Sequence, residues 1–213
     1  MLGLAALGCT PGGVGDPCTP EDEYQQNFNG FQVTETNVES RSFQCETRLC
    51  MVNHFQGRVS CRMGQAAPPL DPMTNKPLVG NKDYHPTCSV PGTDPGTDQF
   101  SADNNNINVA VKAQLQKRQT DKAVYCSCRC DGPDKNARYC ECPTGFQCEP
   151  LVANLKIVSG GGQLAGSYCI RSGSKYDANG DGSATGETCS DPGGAKVCGC
   201  DGDKPPAECG KIA

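Results

Sequence analysis

A chain of 213 residues holding 17 cysteines, 26 glycines, 16 prolines and no tryptophan does not have the composition of the common enzyme classes. Cysteine is counted within an apolar fraction of only 36%, so conventional core-formers are scarce and sulfur cross-links must replace buried area. The net charge of −5, with 19 basic against 24 acidic side chains, lacks the Lys/Arg excess that phosphate tracking needs and excludes nucleic acid as a partner.

In chain order, residues 1–9, Met1-Leu-Gly-Leu-Ala-Ala-Leu-Gly-Cys9, are apolar up to a small residue and a cysteine. The composition then changes at once to Thr10-Pro-Gly-Gly-Val-Gly-Asp-Pro17. This pattern resembles the lipobox of bacterial lipoproteins, with Gly8 in place and Ala6 and Leu7 as looser matches. The resemblance implies that Cys9 is acylated through its sulfur and becomes the mature N-terminus. Thr10 after it, where Asp is absent, implies delivery to the outer membrane. Eight residues are too few for a charged n-region and an apolar h-region, which places the true start upstream of Met1. The alternative is a frayed apolar end on a soluble protein. No other stretch is long and apolar enough to span a bilayer.

Residues 10–30 read as a flexible tether that gives way to the fold near Phe31. Residues 31–213 read as one disulfide-stapled domain, mainly β, with small strands, long loops and little helix, as abundant Gly and Pro dictate. Strand-like runs occupy 31–34 and 49–54, the latter returning through Gln56-Gly57 into 58–62 as a hairpin. Residues 66–106, with Pro68-Pro69 and the Asn-rich stretch ending at Asn106, form an irregular insertion, mobile unless Cys88 pins it. Further strands are expected over 107–111, 124–130, 139–142 and 167–171, with a short helix over 111–118 as an alternative.

Seventeen cysteines is an odd number. Assigning Cys9 to lipid leaves Cys18, Cys45, Cys50, Cys61, Cys88, Cys126, Cys128, Cys130, Cys140, Cys142, Cys148, Cys169, Cys189, Cys198, Cys200 and Cys209, enough for eight disulfides whose connectivity stays open. Geometry narrows it. Residues i and i+2 on a strand are about 6.5–7 Å apart, too far for a disulfide, so Cys126, Cys128 and Cys130 must each bond to a different segment. The same argument separates Cys140 from Cys142 and Cys198 from Cys200. Thiolate metal binding is the competing account of these spacings, with Cys45 and Cys50 as a separate C-x₄-C pair, although His54 and His85 lack zinc-site spacing. Cys128-Arg-Cys130-Asp-Gly leading to Cys140 is echoed by Cys198-Gly-Cys200-Asp-Gly leading to Cys209, a recurrent disulfide knuckle.

Two local resemblances carry chemistry. Tyr139-Cys-Glu-Cys-Pro-Thr-Gly-Phe-Gln-Cys148 resembles the closing part of an epidermal-growth-factor-like module over ten residues, with its last cysteine closer than that family has it. Asp177-Ala-Asn179-Gly-Asp181-Gly-Ser183-Ala-Thr185-Gly-Glu187-Thr188 resembles the calcium loop of the EF-hand family. That resemblance implies oxygen ligands at Asp177, Asn179, Asp181, Ser183 and Thr185 and a glycine at the sharp turn. The family's bidentate acid belongs where Thr188 stands, and Glu187, one residue early, is the acid expected to join these ligands. The competing reading is a polar Asn-Gly/Asp-Gly turn.

Catalytic motifs are missing: there is no H-E-x-x-H, no G-x-S-x-G, no phosphate-binding glycine loop and no C-x-x-C. Cys9, Gly15-Asp-Pro-Cys18 and the Cys-x-Cys-x-Cys run together resemble the cysteine-rich outer-membrane lipoproteins of myxobacteria and similar soil bacteria. The expectation is therefore a non-enzymatic lipoprotein in an oxidising compartment of the cell envelope, held in the outer membrane by lipid and docked on an envelope protein. The alternatives are a secreted calcium-binding adhesion or inhibitor module, and an exported hydrolase using His54 or His85 in a non-local site.

Overall fold

The computed structural model describes residues 11–75, 87–93, 105–152, 165–176 and 186–199. Two three-stranded antiparallel sheets carry the fold. The first has β1 (Thr36–Glu39), β2 (Leu49–Asn53) and β3 (Val124–Ser127) in the order β1-β2-β3. The second has β4 (Arg129–Asp131), β5 (Phe146–Val152) and β6 (Gly166–Arg171) in the order β4-β6-β5. Helix is limited to single turns among the described residues: a 3-10 turn at Glu21–Tyr24, α1 at Thr120–Ala123 and α2 at Gly194–Val197. The architecture is mainly β, with small strands, long loops and little helix, and seven disulfides cross-link the described residues.

The central strand of the first sheet is β2, and its apolar run suits a position covered on both faces. Cys50 and Val52 point with Val124 and Cys126 into a cluster completed by Phe31, Phe55, Val59 and Ala123. Met51 and Tyr125 point the other way and meet Tyr168 and Ile170 of β6. The second sheet is thus packed on the first through that face, with the Tyr125 and Phe146 rings edge to face at 5.5 Å. A smaller cluster of Cys61, Cys88, Ile107 and Val111 lies beneath the described part of the insertion, which the Cys61–Cys88 bridge pins.

The run 124–130 alternates as expected through Ser127, then divides. Register with β2 ends at the Leu49–Ser127 pair, and pairing with β6 begins at Arg129 opposite Tyr168, so Cys128 is the crossing point between sheets.

Residues 11–30 are not a tether. Gly15 N–H donates to Cys126 O, and Cys126 N–H donates to Asp16 O, each at 2.8 Å, so this segment covers the edge of β3 that no strand occupies. The Cys18–Cys50 disulfide fastens it, Arg171 Nη2 donates to Gly15 O at 3.0 Å, and Glu23 is fully buried beneath it. Its polar, Gly/Pro-rich composition reflects edge covering rather than disorder.

The hairpin 49–62 is also absent, because β2 pairs with β1 and β3 instead. Gly57 exchanges two backbone hydrogen bonds with Phe31, at 2.9 and 3.0 Å, and Arg58–Cys61 is only a tight turn. That single bridge at Phe31 is all that remains of the strand expected over 31–34. Residues 107–111 are bridged only at their ends, through Asn106 to Ser89 and Val111 to Gln65, and 139–142 is not a strand. Residues 111–118 do not form a helix: the amides of Gln114 and Gln116 donate to Arg62 O and Glu187 O, at 2.9 Å each, instead of to their own preceding turn.

Gly57 shows how closely these segments approach. Its φ is +90°, and a Cβ there would run into the carbonyl oxygen of Lys112. Gly57→Ala is therefore expected to destabilise the fold by about 2 kcal/mol or more, read as a lower denaturant midpoint at unchanged slope.

Candidate functional site

Sulfur chemistry comes first, because strand pairing sets cysteines side by side. Cys50 and Cys126 are register partners on β2 and β3, yet Cys50 bonds to Cys18 and Cys126 to Cys45. Cys148 and Cys169 are register partners on β5 and β6, yet they bond to Cys130 and Cys142. The facing cysteines thus bond past each other: Cys50, Cys126 and Cys169 fasten segments outside their sheets, and Cys148 ties β5 to β4 within the second sheet. Cys128 bonds to Cys140, so Cys126, Cys128 and Cys130 have three separate partners, as the strand geometry requires.

Three sulfur trios lie within 4.8 Å: Cys18, Cys45 and Cys126; Cys128, Cys140 and Cys169; Cys130, Cys142 and Cys169. Every one of these sulfurs is in a disulfide, and zinc and soft ions are held by thiolates, so the trios are stacked cross-links and not a thiolate centre. The C-x₄-C pair of Cys45 and Cys50 is likewise split between Cys126 and Cys18. Residues 139–148 are not self-contained, since all three of their cysteines bond outside the segment. The two knuckles differ as well: Cys198 bonds back to Cys189, whereas Cys128 bonds forward to Cys140. Cys9, Cys200 and Cys209 lie outside the described residues, as do Asp177, Asn179, Asp181, Ser183, Thr185 and His85.

The flanks of the calcium-type loop are described, and both attach to residues 114–118. On the incoming side, the Tyr176 ring stacks on His54 at 4.0 Å with planes 7° apart, and the Arg118 guanidinium lies 5.6 Å from the Tyr176 centroid. Arg118 is buried and donates to His54 O, Ser174 O and Asn53 O at 2.7, 3.1 and 2.8 Å. On the outgoing side, Gln116 N–H donates to Glu187 O at 2.9 Å, Thr188 bridges Leu115, and Cys189 N–H donates to Gln114 O at 2.8 Å. Glu187 is exposed. The Thr188 hydroxyl, which stands where the resemblance puts a bidentate acid, donates to Asp191 Oδ2 at 3.0 Å, and the Thr188 amide donates to the same oxygen at 2.6 Å. Nothing in the spacing of Tyr176 and Arg118 marks them, because their partners are far along the chain, whereas Asp191 serves Thr188 three residues before it.

His54 is held as a structural imidazole. Its Nδ1 donates to Val33 O at 2.9 Å, the only role a carbonyl partner allows, and Tyr176 covers a ring face. Burial holds its pKa below the free value, the charge of Arg118 pushes the same way, and the Val33 hydrogen bond opposes them. The unfolded chain therefore binds this proton first. Stability from His54 is complete above about pH 6.5 and is lost as pH falls through the native pKa. Thermal melts between pH 7.5 and 5 are expected to show that decline, to keep it in His85→Gln and to lose it in His54→Asn.

Seven disulfides are the mark of an oxidising, extracytoplasmic compartment. Among the described residues, no helix is long and apolar enough to cross a membrane. No protein-family model, no curated protein and no solved structure matches the chain.

Proposed function

We propose that this protein is a non-enzymatic lipoprotein of the cell envelope, held on the outer membrane by an acylated Cys9, whose cross-linked body serves as a rigid docking subunit for another envelope protein. One observation carries the reading. Among the described residues fourteen cysteines are closed in seven disulfides, and Gly12, three residues after the cysteine that ends the apolar leader, is already hydrogen-bonded into the body. On this reading Cys9 is the odd, lipidated sulfur, which leaves Cys200 and Cys209 for an eighth disulfide. Intact mass spectrometry of protein taken from its native membrane tests this. The expected mature chain starts at Cys9, carries two or three acyl chains and takes up no alkylating reagent before reduction. An unacylated chain, or one with several free thiols, overturns the proposal.

A second reading, a calcium-stabilised binding module, is favoured by the attachment of both loop flanks to residues 114–118. Loop ends fixed in this way lower the entropy lost when oxygen ligands gather around an ion. Under this reading calcium raises the melting temperature of the full chain and a chelator reverses the rise. The double substitution Asp177→Asn with Asp181→Asn abolishes the response, and a melting temperature indifferent to calcium removes the reading.

A further inference from the structure

We infer that the loop 40–48, between β1 and β2, is a membrane-contact element that rests on the lipid headgroups beside the anchor; the inference builds on the acylated Cys9 of the proposed function. Phe43 is 81% exposed, the most exposed aromatic side chain among the described residues. Its exposure is fixed by the structure around it. Ser42 N–H donates to Arg48 O at 3.1 Å and Arg48 N–H to Cys45 O at 3.0 Å, while Cys45 is bonded to Cys126 and the Thr47 hydroxyl donates to Ser127 O. The ring is thus held out on a braced loop, where the residues around it decide what it can meet.

The surroundings favour a lipid surface. The Arg48 guanidinium lies 4.4 Å from the Phe43 centroid, presented from a left-handed backbone with φ 63°, and Arg41 is exposed two residues before the ring. Two arginines flanking an aromatic ring in a chain of net charge −5 make a local positive site that suits phosphate headgroups, with the ring seated at the headgroup level. Glu46 is the one exposed acid within the loop, and the nearby Asp16 carboxylate is occupied by the Gly13 amide at 2.8 Å.

Chain path ties this loop to the anchor. Gly12 N–H donates to Gln44 O at 2.7 Å and Glu46 N–H donates to Gly12 O at 2.9 Å, so Gly12 is seated on the loop itself, three residues from Cys9. Three residues reach at most about 10 Å. A lipid on Cys9 therefore draws this loop, before any other part of the body, down to the bilayer.

The native chain contains no tryptophan, so Phe43→Trp supplies a single reporter at an exposed site. Val197→Trp, on the segment that hangs from Gln119, is the control. The acylated full chain is reconstituted in phosphatidylethanolamine and phosphatidylglycerol vesicles with brominated acyl chains. Phe43→Trp emission is expected to be blue-shifted and quenched at least about twofold relative to unbrominated vesicles, with Val197→Trp unchanged. Adding Arg41→Gln and Arg48→Gln is expected to return the emission toward the control. An acylated Phe43→Trp sample that stays unquenched, or that shifts only when solubilised envelope proteins are added, overturns the loop contact and leaves the anchor standing. An unacylated sample, identified by its intact mass, that is still quenched on the same vesicles keeps the loop contact and removes the anchor.

Discussion

Replacing Cys45 and Cys126 together by alanine is expected to cost about 4 kcal/mol of stability, the largest loss from removing any one of the seven bridges. The cost follows from the loop that the bridge closes. Cys45 and Cys126 are 81 residues apart, and the Cys61–Cys88 bridge inside that span shortcuts 27 of them, leaving an effective loop of about 55 residues. The entropy withheld from the unfolded chain grows with the logarithm of loop length, which puts this bridge near 4 kcal/mol and the nine-residue Cys189–Cys198 bridge near about 2.7 kcal/mol. Both sulfurs are buried in the first core cluster, so lost packing adds to the entropic cost. Denaturant titration of the two double-alanine variants checks the order. Equal losses would show that the unfolded state is not what these bridges constrain.

Glu23→Ala is expected to cost about 3–5 kcal/mol, because it strands a buried arginine. Arg58 Nε and Glu23 Oε2 are 3.3 Å apart with neither side chain exposed. The other carboxylate oxygen accepts from Val59 N–H at 2.7 Å, and Oε2 also accepts from the Ser60 hydroxyl at 2.9 Å. Arg58 in turn donates to the carbonyls of Glu23, Gln25 and Phe28. The pair therefore ties the 3-10 turn Glu21–Tyr24 to the turn after Gly57, and the seat of the N-terminal segment depends on it. Burial pushes the Glu23 carboxyl above its ordinary pKa against the pull of Arg58, and holds Arg58 below its own, so each charge is stable only through its partner. The double variant Glu23→Leu with Arg58→Met is expected to recover most of the loss. If the double variant is no more stable than Glu23→Ala, the pair contributes through its carbonyl contacts and not its charges.

What could be read from the sequence was local. The rise of an extended chain keeps Cys126, Cys128 and Cys130 from bonding to one another, and they bond to Cys45, Cys140 and Cys148. Gly and Pro frequency limited helix to single turns. The failures share one cause, partners distant in sequence. Glu23, in a run of acids after Pro20, has the look of a solvated side chain, and its burial is decided by Arg58, 35 residues on. Gly57 follows an apolar run as a hairpin turn would, but its backbone is claimed by Phe31 and crowded by Lys112. The flanks of the Asp177 loop could not be foreseen, since what holds them is a stretch, 114–118, whose own pattern suggested a helix.

The segment that covers the β3 edge also sets the order in which the molecule can be made. It is the first described part to be synthesised and among the last to be seated: its partner Cys126 comes more than a hundred residues after Gly15, and Arg171 comes 156 residues after it. Of the first three described cysteines to emerge, Cys18 and Cys50 can join at once, but Cys45 has no correct partner until Cys126 follows. In the finished fold the sulfurs of Cys18, Cys45 and Cys126 lie within 4.8 Å, so a premature Cys18–Cys45 bridge sits one exchange away from the native pair. Oxidation before Cys126 emerges can therefore close Cys18 on Cys45, a bridge that must exchange to Cys50 before the native pairs form.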